Sequence, residues 1–315
     1  MSCFLSICIP TYNGGENLKY NVNKLIKMHP EYGFEICVSD NASDDGTQEF
    51  MNAAASEYEF IKYHRNKENL GFAYNFDYVL NMATGEYRWL LGDDDEIVEE
   101  NLGKVIQALK ENRPDICVVN GYDWKGEKRI LNISSRMYSN YNLVMSELGE
   151  EMSWISSLII YEKVLNAISI KNVQNNALPH LIEIFRFIYN KTNVYWIGFA
   201  AVKPQSFAKH RYQDKIIEYF IKDWYNVTKI CAGYSKEAKQ VFLNAIVRRI
   251  FSNKALLILR ARNIINANCL KKVERELKYY PLVFRIKIVI IKFVPYKFLS
   301  FLYECYKNIK MNVGK

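Results

Sequence analysis

Three times before Leu91, a short apolar run gives way to a turn and then to a stretch of helical period. Residues 4–9, closed by Pro10, predict a buried strand; residues 16–28 predict a helix with Leu18, Val22, Leu25 and Ile26 on one face. A second strand over 34–39 leads through a turn at 40–47 to a helix holding Phe50 and Met51. A third strand over 60–63 and a helix over 71–82 repeat the pattern, and 87–91 is a fourth strand. Few architectures accept this alternation. It predicts an α/β fold, a mostly parallel Rossmann-like sheet with helices on both faces. Right-handed crossovers then bring the C-terminal ends of the strands to one edge, where open α/β sheets bind ligands. Thr11, Tyr12, Asp40, Asp44, Asp45, Asp93, Asp94 and Asp95 all fall on that edge.

The fourth strand ends abruptly in Asp93, Asp94 and Asp95. Adjacent carboxylates repel one another and favour loops over strands. Such a triplet is either a solvated acidic turn or a ligand set for a counter-charge. A hard divalent cation, Mn²⁺ or Mg²⁺, takes oxygen ligands and often bridges to phosphates. Delivery by a buried strand to the ligand-binding edge favours the cation.

Half of the 315 residues are hydrophobic, which suffices for a sizeable core and excludes the disordered class. The seven Cys are odd in number and scattered without a C-x-x-C pair, as expected of reduced core residues in a cytosolic protein. The N-terminus runs straight into a strand without a basic region, so no signal peptide is expected. No uncharged apolar run reaches about 18 residues, so no membrane span is expected either. The net charge of +8 averages two unequal parts. Residues 248–315 carry 16 Lys and Arg against 3 Glu, while the rest carries 26 against 31 acidic residues. An acidic catalytic part and a basic part with an anionic partner are the expectation.

Four motifs occur in order: Ile9-Pro10-Thr11-Tyr12-Asn13; Val38-Ser39-Asp40-Asn41-Ala42-Ser43-Asp44-Asp45-Gly46-Thr47; Asn69-Leu70-Gly71 with Asn75; and Leu91-Gly92-Asp93-Asp94-Asp95. In that order and spacing they resemble the family 2 glycosyltransferases of the nucleotide-diphospho-sugar (GT-A) fold, from residue 5 into the early 200s. The resemblance implies a nucleotide-diphospho-sugar donor (UDP foremost, with CDP, dTDP and GDP as alternatives), a Mn²⁺ or Mg²⁺ cofactor and inversion at the transferred sugar. It implies that Pro10, Thr11, Tyr12 and Glu16 line the nucleotide pocket, with Asn69, Gly71 and Asn75 on the donor side. Asp40 would bond the base edge. Asp93 and Asp95 would be the ends of the D-x-D with Asp94 between them, and Asp95 the direct cation ligand.

Many members carry Asp where this chain has Gly92, which leaves open which two of the three Asp touch the metal. Gly92 is expected to let the backbone approach the phosphates. The residue types suit these tasks. A pyrimidine needs an acceptor for its N–H and a face to stack on, which Asp40 and Tyr12 supply. Asp40 would also serve as a helix N-cap, and Asp44 and Asp45 are expected to shape the turn.

Further on, 98–109 predicts a helix, 114–119 a strand and 129–133 a half-exposed strand. Residues 154–161 resemble the family's segment behind the acceptor site. Family members often open a later helix with Glu-Asp and end it with Arg, the Asp being the base. The matching stretch, 178–186, lacks the Glu-Asp, and with Arg186 fixing the register His180 takes the Asp position. A neutral imidazole in the first turn, after Pro179, suits a base. The plain alternative is a His satisfied by a local hydrogen bond, and Glu183 is the alternate base. His210 and Arg211, in a loop over 203–213, are expected either to touch metal and diphosphate or to form plain surface.

The expected division is a catalytic domain over 1–212, with a nucleotide-sugar half to about 120 and an acceptor half over 121–212, then a basic amphipathic helical region over 213–315. There Phe220, Trp224, Val227, Ile230 and Cys231 recur at the spacing of a helix core. Residues 287–306 mix large apolar side chains with regularly placed Lys, which suits a helix lying in a membrane interface against anionic headgroups. Packing on the catalytic domain, or on a second subunit of a homo-oligomer, is the alternative; no nucleic-acid motif accompanies the charge.

The whole reads as a hexosyl- or deoxyhexosyltransferase, peripheral on the cytoplasmic face of the inner membrane. By resemblance, its acceptor is a glycan or glycolipid in bacterial surface polysaccharide (O-antigen or capsule) synthesis. One rival is a nucleotidyltransferase, which would want a basic phosphate loop where Asn13-Gly14-Gly15-Glu16 offers neither Lys nor Arg. The other is a nucleotide-sugar- or glycan-binding protein that has lost its base.

Overall fold

The computed structural model describes residues 3–123, 129–168, 170, 173, 176–205 and 216–303. The chain forms two compact units. One comprises Met1–Val144, Glu151–Asn175 and Pro179–Lys209; the other comprises Met145–Glu150, Asn176–Leu178 and His210–Lys315. Two short segments from the earlier part of the chain thus belong to the second unit, which no single cut expresses.

The first unit is built on a nine-stranded sheet. Strands β1 (Leu5–Thr11), β2 (Glu35–Asp40), β3 (Ile61–Arg65) and β4 (Tyr87–Leu90) lie in parallel in the order β3-β2-β1-β4. The later strands are β5 (Asp95–Ile97), β6 (Ile116–Gly121), β7 (Arg136–Tyr138), β8 (Leu158–Tyr161) and β9 (Val194–Pro204). The order continues β8-β6-β9-β5, with β7 also on β9. β6 and β9 are parallel, while β8, β5 and β7 run antiparallel to their neighbours. The sheet is therefore mostly parallel, as expected, with its antiparallel strands in the later part.

Helices α1 (Gly15–Tyr32), α2 (Thr47–Glu57) and α3 (Phe72–Met82) join the first four strands. α4 (Glu99–Asn112) leads to β6, α5 (Tyr141–Leu143) is a single turn, and α6 (Pro179–Asn190) precedes β9. Ile7, Ile9, Ile36 and Val38 are fully buried because both faces of a parallel sheet are covered. Leu18, Val22, Leu25 and Met28 of α1 join the same core. α1 runs past the predicted end at 28 and carries Pro30 inside. It stops at Gly33, whose φ of 63° permits the left-handed C-cap.

Two expectations need correcting here. Residues 129–133 form no strand beyond an isolated bridge between Tyr122 and Arg129. Their backbone is satisfied by side chains instead: Asn120 Nδ2 donates to the Leu131 carbonyl at 2.7 Å and Trp196 Nε1 to the Ile133 carbonyl at 3.0 Å. Lys203, expected in a loop, lies in β9 opposite Glu96 of β5.

The second unit is helical: α7 (Trp224–Ile230), α8 (Lys236–Ile250), α9 (Asn253–Ala261), α10 (Ala267–Leu277) and α11 (Leu282–Phe293). Ser235, Ser252 and Asn266 cap α8, α9 and α10 by accepting the backbone N–H three residues on. Trp224 is buried and stacks on Phe242 at 4.7 Å. Val227 and Cys231 are buried too, but Ile230 is 38% exposed, which corrects its place in the core. The helix expected over 287–306 is broken, because Val294 turns extended ahead of Pro295. Helix resumes over 296–303, and 304–306 lie outside the described residues. Among the described residues, no helix is long and apolar enough to cross a membrane.

One buried carboxylate ties the start of the sheet together. Glu35 is 6% exposed, accepts from Ser6, Thr84 and Gly85, and pairs with Lys62 at 2.7 Å. Burial alone would raise its pKa, but Lys62, Ser6 and Thr84 outweigh it and hold the carboxyl at about 2, against an ordinary 4.5. A depressed carboxylate stabilises the fold above the ordinary value and loses that contribution as pH falls through the folded one. Glu35→Gln is expected to lower unfolding free energy by about 3 kcal/mol at pH 7. In urea titrations, the gap from the parent protein should close as the pH is taken from 4.5 to 2.

Candidate active site

Three strand ends stand side by side at the carboxyl edge, because Thr11 pairs in register with Asp40 and Asp40 with Arg65. Asp40 is fully buried. Its Oδ1 accepts from the Ser43 N–H at 2.9 Å and from the Ser43 hydroxyl, and its Oδ2 accepts from Tyr63 O–H at 2.9 Å. Arg65 Nε lies 3.5 Å from Oδ2. Burial and Asp40 together push the Tyr63 hydroxyl upward, so it stays a donor. The loops after β1 and β2 are joined by Asn13 N–H donating to Ser43 Oγ at 2.8 Å and Asp44 N–H donating to Asn13 Oδ1 at 3.0 Å. Asp45 accepts from the Thr47 hydroxyl at 2.6 Å and shapes the entry to α2.

Asn75 is buried and uses its whole hydrogen-bonding capacity within the chain. Its Nδ2 donates to the Thr11 and Ser39 carbonyls, and its Oδ1 accepts from Ser39 and Asn66. It braces the ends of β1 and β2. Asn69 Oδ1 accepts from Asn41 Nδ2 and the Gly71 N–H, shaping the turn before α3. Pro10 is half-buried in β1. Tyr12 is 44% exposed just beyond the strand. The Glu16 side chain is solvated and pairs with Lys19 at 2.9 Å.

The acidic turn follows β4. Asp93 and Asp95 are buried and Asp94 is half-exposed. Thr11 Oγ1 donates to Asp93 Oδ2 at 2.7 Å. Gly14 makes room for this bond, since a Cβ there would sit 2.4 Å from Thr11 Oγ1 and 2.9 Å from Asp93 Oδ2. Asp95 Oδ2 accepts from Trp154 Nε1 and Ser156 Oγ, both at 2.5 Å. A Cβ at Gly92 would lie 2.7 Å from that same oxygen, so Gly92 is needed first by the chain's own carboxylate. Asn21 and Gln205 grip the turn's backbone: Asn21 Nδ2 donates to the Gly92 carbonyl at 3.3 Å and the Asp93 carbonyl at 3.2 Å. Gln205 N–H donates to the Asp94 carbonyl at 2.9 Å.

The donor set suits a hard cation. Thr11, Trp154 and Ser156 meet the turn's carboxylates as neutral donors, and among the described residues no cationic side chain pairs with Asp95. Burial, and then the charge of Asp94, push the Asp95 carboxyl up to about 7. Among the described residues no three His, Cys, Asp or Glu converge into a metal cage.

His180 opens α6 but is 2% exposed, with its ring 5.8 Å from Phe76 and 6.0 Å from Phe72. The Ser153 and Met152 backbones approach the ring, yet neither nitrogen reaches hydrogen-bond geometry. Glu183, one turn on, pairs with Arg186 at 2.5 Å and its side chain is 12% exposed. His210 and Arg211 lie outside the described residues.

Arg65 and Asn21 join the site without having been singled out, while Trp154 and Ser156, expected behind the acceptor, and Gln205, expected in a loop, instead contact the acidic turn. Arg65 lies beyond the predicted end of the third strand at 63. The other four act through tertiary contacts, for which no local pattern exists.

Residues 6–207 match the model of glycosyl transferase family 2. The chain is 39% identical over 205 residues to abequosyltransferase RfbV of Salmonella typhimurium, across 59% of this chain and 61% of that protein. It therefore spans less than two thirds of this curated relative. Its fold is shared with S. aureus TarS 1-349, solved in complex with UDP-GlcNAc, at a TM-score of 0.62 and 18% identity over 96% of this chain and 91% of that one. The mannosyltransferase PcManGT of Pyrobaculum calidifontis, solved with GDP-Man and Mn²⁺, matches at a TM-score of 0.53 and 12% identity, over 92% and 86%.

Burial holds the His180 imidazole at about 4, below its ordinary 6.5. Above 6.5 the ring is neutral folded or unfolded, and as pH falls from 6.5 towards 4 only the unfolded chain takes up the proton, so stability declines across that window. Urea unfolding should therefore show the parent protein losing about 3 kcal/mol more than His180→Leu between pH 7 and pH 4.

Proposed function

The chain belongs to glycosyl transferase family 2, and on that premise we propose that it moves a sugar from a nucleotide-diphospho-sugar to an acceptor hydroxyl with inversion. The observation that carries this reading is the Asp93-Asp94-Asp95 turn, with Asp93 and Asp95 buried, Asp93 bonded to Thr11 at the end of β1, and no cationic side chain paired with Asp95 among the described residues. Tyr12 offers an exposed ring face for the base. Asp40 is fully buried, so its part in base binding would be to hold the loop after β2 through Ser43 and Tyr63. UDP is the nucleotide we favour, supported by the shared fold with a UDP-GlcNAc-binding structure.

Asp95, with Asp93, would hold Mn²⁺ or Mg²⁺, which when bound supplies Lewis-acid stabilisation of the departing diphosphate. Glu183 is assigned as the base. Its carboxylate accepts the acceptor's proton while the hydroxyl oxygen bonds to the anomeric carbon and the carbon–phosphate-oxygen bond breaks on the opposite face. His180 is a poor rival. Its ring is buried against Phe72 and Phe76, out of reach of an acceptor hydroxyl. With the base on Glu183, a binding protein without a base loses its motive.

We place the protein peripherally at the cytoplasmic face of a membrane, acting on a lipid-linked glycan. α11 supports this. Its exposed Leu282, Val283, Ile286, Val289, Ile290 and Phe293 fall within an arc of about 120° at 3.6 residues per turn. Phe284, Ile288 and Ile291 form its buried side. Arg285 and Lys292 flank the exposed arc on one edge and Lys287 on the other, and no Asp or Glu occurs between Glu276 and Glu304. Such a helix lies in the interface plane with its Lys stems snorkelling to headgroups.

Asp95→Asn is expected to abolish Mn²⁺-supported transfer from UDP-sugars, and Glu183→Gln to cut kcat by at least about 100-fold. His180→Leu should stay within about tenfold of the parent, and the reverse ranking would move the base to His180. Formation of nucleotide-sugar from a sugar phosphate and UTP would favour the nucleotidyltransferase instead. In flotation with phosphatidylglycerol vesicles, Ile290→Glu with Phe293→Glu should release the protein. Unchanged flotation, or a parent dimer that the same pair dissolves, would assign this face to another partner.

A further inference from the structure

The acidic turn is held by a segment that no donor-side motif contains. Ser156 Oγ accepts the Gly92 N–H at 2.8 Å and donates to Asp95 Oδ2 at 2.5 Å, so one hydroxyl closes the turn from both ends. Trp154 Nε1 donates to the same oxygen. Both donors are themselves anchored. Ser156 is fully buried, and its carbonyl accepts from Trp89 Nε1 at 2.9 Å, Trp89 also being fully buried. The Trp154 ring lies against Gly121, where a Cβ would come within 2.2 Å of it. This close approach fixes where the indole N–H points.

The three aspartates are treated differently. Asp93 is bonded to Thr11, Asp94 is half-exposed, and Asp95 receives two side-chain donors on one oxygen. A carboxylate's terminal torsion is broad and two-fold, so an unheld Asp can rotate or offer either oxygen. Two donors on Oδ2 fix the carboxylate plane and leave Oδ1 for an outside ligand. We propose that Trp154 and Ser156 are positioning residues that select Asp95 among the three aspartates and hold it as a one-oxygen cation ligand through Oδ1. This rests on the cation reading of the acidic turn. Its physical content is preorganisation: a ligand already held in one orientation loses little freedom when the ion binds.

The test compares Trp154→Phe, which keeps a ring over Gly121 but removes the N–H, with Ser156→Ala and Ser156→Thr. Mn²⁺ affinity is measured without turnover, from the electron paramagnetic resonance signal of free Mn²⁺ in the presence of UDP, and thermal unfolding is followed in parallel. Trp196→Phe is the control, since that buried indole donates to the Ile133 carbonyl instead. Trp154→Phe and Ser156→Ala should each weaken Mn²⁺ binding about tenfold, the size of one charge-assisted hydrogen bond. Ser156→Thr should restore it, and Trp196→Phe should leave it unchanged whatever its melting temperature. Parent-like Mn²⁺ affinity in Trp154→Phe and Ser156→Ala overturns the positioning role while the cation reading stands. Equal weakening in the Trp196→Phe control reduces the effect to general destabilisation and overturns it too. A parent protein that binds no Mn²⁺ with UDP overturns the cation reading itself, and the positioning role with it.

Discussion

A buried carboxylate beside two others, with no cationic partner among the described residues, is the constraint around which the first unit is arranged. Burying such a group is costly unless donors or a cation compensate. Asp95 sits at 6% exposure beside Asp93 and Asp94, and the fold answers with neutral donors from a separate segment, Trp154 and Ser156. Asn21 and Gln205 hold the turn's backbone carbonyls from α1 and from the end of β9. Gly14 and Gly92 carry no side chain because the oxygens of Thr11, Asp93 and Asp95 occupy that space. The described packing on Asp95 is made of neutral hydrogen-bond donors, which is compatible with a cation.

The donor edge beside it is rigid for a related reason. Asn41, Asn66, Asn69 and Asn75 form an amide network in which strand ends, the turn before α3 and the Asp40 loop share hydrogen bonds. In a buried site such a network is valuable only when every member is satisfied. Asn75 meets that condition fully, so its contribution to ligand binding is indirect, through the positions of Thr11 and Ser39. Tyr12 is the contrasting residue, exposed on the loop that follows.

The helical unit poses a different problem. α11 is apolar nearly all round, yet only Phe284, Ile288 and Ile291 are covered within the unit. Water against the other face costs free energy in proportion to area. The basic residues that border the exposed arc, and the lack of acidic ones between Glu276 and Glu304, are the reason an anionic membrane surface is the partner we propose.

Much of this was legible in the residues themselves. The strand–turn–helix rhythm, the parallel direction of the first four strands and the arrival of Thr11, Asp40 and the aspartates at one edge follow from local periodicity and the handedness of crossovers. Arg129 to Ile133 misled because alternation alone cannot tell a strand from a segment whose carbonyls are claimed by Asn120 and Trp196. The burial of His180 against Phe72 and Phe76, the use of Gly92 by Asp95, and the grip of Trp154, Ser156, Asn21 and Gln205 on the acidic turn were decided only in three dimensions. The reason is that sequence specifies which groups a strand delivers to an edge. Whether a delivered group faces solvent, a ring or a donor depends on segments far away along the chain, and no local period records that.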